Sequence, residues 1–192
     1  LTKELNNPYG GKAEERFKWA KDAGLEKYID NKDAKVGYFV GCTASYRQIE
    51  IAIATCKIFE DLGIDFTLIG DEVCCGSPFF RVGAVETAQE LMNKNLEAFK
   101  DLEMVYFSCA GCYRTITIDY PKWMAEDMEY PFKTKHAFEL VADLITENKL
   151  KFKPNKELKG KVITYHDPCH TGRHFAVDME QDLIEKSTNL MF

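Results

Sequence analysis

The stretch Asp65-Phe66-Thr67-Leu68-Ile69-Gly70-Asp71-Glu72-Val73-Cys74-Cys75-Gly76-Ser77 decides the fold. Asp65 to Ile69 reads as a short strand, and it runs into two adjacent cysteines and a glycine. Neighbouring cysteines make a poor disulfide with each other because the small ring is strained. A thiol pair presented by a turn makes better sense as a pair of metal ligands. Outward from this stretch the arrangement recurs on both sides. Val36-Gly37-Tyr38-Phe39-Val40 is an apolar strand leading into Gly41-Cys42, and Met104-Val105-Tyr106-Phe107 leads into Cys109-Ala110-Gly111-Cys112.

Helices are expected between these strands. From Gln48 to Leu62 the residues Ile49, Ala52, Ile53, Cys56 and Phe59 recur at helical spacing, and Gly63 ends the run. From Ala84 to Lys100, Ala88, Met92, Leu96 and Phe99 share one face. Strands alternating with helices imply an α/β fold, a mainly parallel sheet with flanking helices. In such sheets ligands bind in the crevice beyond the carboxyl ends of the strands. Three strands therefore deliver five thiols, Cys42, Cys74, Cys75, Cys109 and Cys112, toward one end of one sheet.

Before the first strand, residues 1–12 contain Asn6-Asn7-Pro8-Tyr9-Gly10-Gly11 and read as a linker. Ala13 to Ala23 reads as a short amphipathic helix stopped at Gly24. After Cys112, Tyr113 to Ile118 is β-branched in composition but sits where a helix should begin, and Pro121 and Pro131 are expected to break the segment after it. His136 to Glu147 is helical by pattern, and a lysine-rich connection runs from Lys149 to Lys161. Val162-Ile163-Thr164-Tyr165 is expected as a fourth strand, running into His166-Asp167-Pro168-Cys169-His170. Val36-x-Tyr38-x-x-x-Cys42 matches Ile163-x-Tyr165-x-x-x-Cys169, so a second copy of the unit is expected to begin here. Its own paired cysteines would fall beyond Phe192. The expected organisation is 1–34 as linker and helix, 35–150 as the first domain, and 160–192 as the start of a second, truncated one.

The 192 residues are 45% hydrophobic and 29% charged, as in a folded soluble protein, and the net charge of −6 argues against nucleic-acid binding. No apolar run approaches the roughly 20 residues that span a bilayer. Leu1-Thr2-Lys3-Glu4 is no signal peptide, and the leucine start reads as an excised piece. Seven cysteines without an export signal point to metal binding in a reducing cytoplasm rather than to a disulfide framework.

Soft thiolates select zinc, copper(I) or iron–sulfur clusters. A structural zinc site takes four ligands, usually from two short paired motifs. Five thiols exceed both that and a four-thiolate cubane. Cys109-Ala110-Gly111-Cys112 alone also describes a thioredoxin-like redox motif, which leaves Cys42 and the adjacent pair unexplained. An iron–sulfur site accounts for most of the pattern, with zinc and unligated thiols as the open alternatives. Tyr113, Arg114, Tyr120 and Trp123 either tune such a site or serve as core packing and a surface cation. Cys56 lies on an apolar stripe and reads as core. His170, beside Cys169, is a candidate for proton transfer, while His166 and His174 fit a surface role equally well.

Cys42, Cys74-Cys75-Gly76 and Cys109-x-x-Cys112 resemble the cysteine-rich CCG domain of heterodisulfide reductase catalytic subunits. Asp167-Pro168-Cys169-His170-Thr171-Gly172-Arg173 looks like the opening of the second such domain. Asn7-Pro8-Tyr9-Gly10, with Trp19-Ala20-Lys21, is similar to the connector after the ferredoxin domain in the D-type subunit. The resemblance implies a non-cubane 4Fe–4S cluster held by Cys42, Cys74, Cys75, Cys109 and Cys112, with a second cluster beginning at Cys169. It implies an oxidoreductase that cleaves the coenzyme M–coenzyme B heterodisulfide or a related disulfide, with His170 as the catalytic proton donor. Electrons would come from ferredoxin-type clusters and a membrane cytochrome subunit, placing the protein in the cytoplasm at the inner face of the membrane, without a span of its own. The ferredoxin cysteines and the second Cys-Cys-Gly are missing here, so the chain alone is expected to be incomplete as an enzyme. Similar domains in iron–sulfur subunits of quinone-linked glycolate and lactate dehydrogenases, and in sulfur-metabolising membrane complexes, imply electron transfer as the alternative.

Overall fold

Four strands, β1 (Val36–Phe39), β2 (Phe66–Leu68), β3 (Met104–Phe107) and β4 (Lys133–His136), form one sheet in the order β2-β1-β3-β4. Every neighbouring pair is parallel, with Tyr38 level with Leu68 and Tyr106, and Phe107 level with His136. The computed structural model describes residues 5–125, 130–150, 160–162 and 168–175. It divides into two units, Leu1–His136 and Ala137–Phe192.

Parallel strands need crossovers, and helices supply them. After β1 come α2 (Gly41–Tyr46) and α3 (Ile49–Asp61), preceded in the chain by the short α1 (Lys18–Asp22). After β2 come α4 (Ser77–Val82) and α5 (Val85–Phe99). Successive strand residues face opposite sides of a sheet. Tyr38 meets Phe59 of α3 edge-on at 5.7 Å between ring centroids, and Phe39 meets Phe99 of α5 edge-on at 5.8 Å. The two long helices therefore cover opposite faces. All four rings are fully buried, and each such side chain contributes about 1.5–3 kcal/mol relative to exposure.

The chain after β3 corrects one expectation. It is helical from Ala110 to Trp123, as α6 (Ala110–Arg114), a π-helical turn (Thr115–Asp119) and α7 (Tyr120–Trp123). Pro121 does not break it. The proline sits in the first turn of α7, immediately after the π-turn, where a missing N–H is least costly. The run ends only at Met124, which is extended. A second correction is β4, whose sequence Lys133-Thr134-Lys135-His136 carries none of the apolar signal of the other strands. It is one of the two edge strands of the sheet, where lysines are well suited. His136 closes β4, and the expected helix begins one residue later as α8 (Ala137–Thr146) in the second unit. That unit also holds α9 (Gly172–Phe175). The expected strand from Val162 lies outside the described residues except for Val162 itself.

The stretch read as a linker is specifically bonded. Asn7 is fully buried; its Nδ2 donates to the carbonyls of Leu5 and Gly11, and its Oδ1 accepts from the amides of Tyr9 and Gly11. The Asn6 carbonyl accepts from the Cys74 amide at 2.8 Å. Among the described residues no helix is long and apolar enough to cross a membrane.

Candidate metal centre

The chain leaves β1 for β2 on one side and then crosses to β3 on the other, so a crevice opens between the carboxyl ends of β1 and β3. Cys42 stands in the first turn of α2, Cys74 and Cys75 in the loop between β2 and α4, and Cys109 immediately before α6, with Cys112 in its first turn. The five sulfurs form a sequence of contacts. Cys42 neighbours Cys74, Cys74 neighbours Cys75, Cys75 neighbours Cys112, and Cys112 neighbours Cys109, each thiol shifting the proton of the next. Cys42, Cys74, Cys75 and Cys112 are buried and Cys109 is half-buried; all five are free thiols.

Gly41, next to Cys42 in the chain, lies against Cys112, the fourth member of the series. Its φ is +74°, and a Cβ there would lie 3.1 Å from Cys112 Sγ. Only glycine combines that backbone with that approach. Among the described residues, no three His, Cys, Asp or Glu side chains converge to hold a single metal ion. A tetrahedral zinc site needs four donors about 2.0–2.3 Å from one point. The five cysteines here exceed the four donors of such a site.

Protons are shared unevenly along the series. The hydrogen bond from Cys112 holds Cys75 down to about 6, helped by Cys74 and by the Ser77 amide. Cys109 is also held to about 6, by Cys112 first and by the amides of Cys112 and Gly111. Cys112 is pushed up by Cys109, by Cys75 and by burial. Cys42 is pushed up by its hydrogen bond with Cys74 and by burial. Cys74 is drawn down by Cys42, but Cys75 and burial outweigh that and leave it at about 12. Cys75 and Cys109 are thus the most acidic thiols of the set.

Two groups missed in the sequence, Asn95 and the Arg16–Glu72 pair, hold the thiols in place. Asn95 of α5 is fully buried; its Oδ1 accepts from the Val73 amide at 3.0 Å, and its Nδ2 donates to the Cys74 carbonyl at 3.1 Å. Its position on the stripe of Ala88, Met92, Leu96 and Phe99 was the available signal. Glu72 and Arg16 form a buried ion pair at 2.7 Å, and Arg16 also reaches Cys42 Sγ at 3.6 Å. Their wide separation in the chain leaves no local pattern to find. Gly76, at φ +77°, caps α4, with its notional Cβ position 3.4 Å from the Ala88 carbonyl.

Of the flanking residues, Tyr120 is fully buried and Tyr113 is buried. Arg114 and Arg81 both bond Asp119 Oδ2 at 2.8 Å. Trp123 stacks on Phe80 and is half exposed. Cys56 lies in the core, its thiol pushed up to about 12 by burial. In the second unit Cys169 is exposed, with Sγ 3.5 Å from His170 Nδ1, and the rings of His170 and His174 are 6.3 Å apart. His166 lies outside the described residues.

Comparisons with known proteins bear on this arrangement. Residues 36–117 match the model of the CCG family, the cysteine-rich domain. The chain is 39% identical over 183 residues to the D-type subunit of the dihydromethanophenazine:CoB–CoM heterodisulfide reductase of Methanosarcina acetivorans, covering 92% of this chain and 42% of that protein. It is 30% identical over 156 residues to the B-type subunit of the fumarate reductase (CoM/CoB) of Methanothermobacter marburgensis, covering 81% of this chain and 30% of that one. It is 30% identical over 181 residues to the EtfAB:quinone oxidoreductase of Syntrophomonas wolfei, covering 89% of this chain and 24% of that one. The chain thus spans less than half the length of these relatives. No solved structure matches it.

Proposed function

We propose that this chain, whose residues 36–117 form a CCG cysteine-rich domain, is an iron–sulfur oxidoreductase module of a heterodisulfide reductase-like subunit. The series of sulfur contacts from Cys42 through Cys74, Cys75 and Cys112 to Cys109 carries the reading. The donor set fits such a group, being all sulfur, largely buried, and provided with an arginine N–H. Cys42, Cys74, Cys75, Cys109 and Cys112 would hold a non-cubane 4Fe–4S cluster, which supplies single electrons and a thiophilic metal when bound. The protein's own residues position the sulfurs and keep water from them: Asn95 and Gly76 fix the paired-cysteine turn, and Gly41 admits close approach to Cys112.

The substrate is the coenzyme M–coenzyme B heterodisulfide or a related disulfide, a reading supported by the similarity to the Methanosarcina and Methanothermobacter proteins. Ferredoxin-type clusters and a membrane cytochrome subunit are the electron partners, at the cytoplasmic face of the membrane. His170 is the proton donor, and Cys169 the first ligand of a second cluster. Anaerobic preparation followed by iron, zinc and acid-labile sulfide analysis tests the cofactor; zinc without sulfide defeats it. Adding heterodisulfide to the reduced protein should produce a new paramagnetic signal, and its absence together with no turnover defeats the disulfide chemistry.

The similarity to an EtfAB:quinone oxidoreductase favours a second reading, electron transfer toward a quinone without disulfide cleavage. Under that reading a quinone reoxidises the reduced protein, and the heterodisulfide leaves its spectrum unchanged.

A further inference from the structure

Arg16 precedes the cysteine-rich domain in sequence, yet its guanidinium reaches the sulfur site. Nη1 donates to Glu72 Oε1 at 2.7 Å and Nη2 donates to Cys42 Sγ at 3.6 Å. The Arg16 side chain is 4% exposed and that of Glu72 is 0% exposed, so water screens neither. Glu72 also accepts from the Gly41 amide at 2.9 Å on Oε1 and from the Val40 amide at 2.8 Å on Oε2. With donors on both oxygens, the ionised carboxylate is the form that fits. Tyr46 lies against the guanidinium, 5.3 Å from its ring centroid.

A planar fork usually closes both its nitrogens on one carboxylate. Here one nitrogen goes to the carboxylate and the other to sulfur. A lysine keeps the charge but cannot present two donors in that fixed plane. The ion pair is neutral as a whole, but its positive end is at the sulfur and its negative end is on the Val40–Gly41 backbone. In a buried site, such oriented charges act strongly on a neighbouring group.

We propose that Arg16 and Glu72 act in opposition on the reduction potential of the group held at Cys42. Arg16 favours the electron-rich form through its charge and its N–H···S bond. Glu72 opposes it while anchoring Arg16 and the Gly41 turn. This rests on the reading of the five thiols as cluster ligands. Both are positioning residues acting through the Cys42 sulfur, and neither is assigned a proton or a bond to substrate.

The test loads the chain and its Arg16→Gln, Arg16→Lys and Glu72→Gln variants anaerobically with iron and sulfide. Iron and sulfide content and a thermal melt accompany a mediator titration followed by electron paramagnetic resonance. Arg16→Gln should shift the potential down, Arg16→Lys should stay nearer the parent, and Glu72→Gln should shift it up. A purely structural pair loosens the site alike from either end, so shifts of one sign overturn the proposal, as does no shift at unchanged cluster content. Should Arg16→Gln take up no iron, Glu72→Gln decides: a raised potential supports the proposal, and an unmoved one overturns it. A parent chain that binds no iron and sulfide overturns the cluster reading beneath it, an outcome separate from these.

Discussion

The Tyr120 hydroxyl donates to the carbonyl of Cys75 at 3.1 Å and accepts from Asn95 Nδ2 at 3.0 Å. One phenol therefore ties the helix after β3 to the paired-cysteine turn after β2. In Tyr120→Phe the buried Cys75 carbonyl loses this donor and Asn95 loses an acceptor. A loss of about 1–3 kcal/mol in stability is expected, with iron uptake reduced but not abolished. Urea unfolding with and without loaded iron measures both.

Gly41→Ala should be harmful out of proportion to one methyl. The left-handed backbone costs an alanine about 1–2 kcal/mol, and the added carbon would meet Cys112 Sγ at 3.1 Å. Lower stability and lost iron binding are expected together. A stable variant with full iron content would contradict the described approach.

Serine replacement separates ligands from bystanders. Cys42, Cys74, Cys75, Cys109 and Cys112 changed singly to Ser should each lower the iron and acid-labile sulfide bound per chain. Cys56→Ala should leave both unchanged while costing some core stability. Equal loss in Cys56→Ala would dissolve the distinction.

Acid should weaken the fold through His136. Burial lowers its pKa from 6.5 to about 4, so the unfolded chain binds the proton first. Stability is full above pH 6.5, falls by about 1.4 kcal/mol per unit as the pH drops from there toward 4, and levels off below. Urea midpoints at successive pH values should show this slope, and a His136→Gln variant should flatten it.

Much of this architecture could be read from pattern alone, and the exceptions have physical causes. β1, β2, β3, α3 and α5 announced themselves because each buries an apolar run or stripe. β4 did not, because three of its four residues are exposed or half-buried and it is held by backbone pairing with β3 rather than by an apolar run. Pro121 misled because a proline is disruptive only where its N–H is needed. Among the site residues, the cysteines were conspicuous by type and spacing. Asn95 was hidden as a polar residue on an apolar stripe, and Arg16 and Glu72 are joined only by the folded chain.

The π-turn at Thr115–Asp119 holds one residue more per turn than regular winding allows, and so rotates everything after it by about 100°. Tyr120 is the first side chain past that offset. Deleting a single residue from the turn would leave the sheet untouched yet swing the phenol off its mark. The irregularity works as an aiming device, giving up uniform helical bonding to set the direction of one hydroxyl.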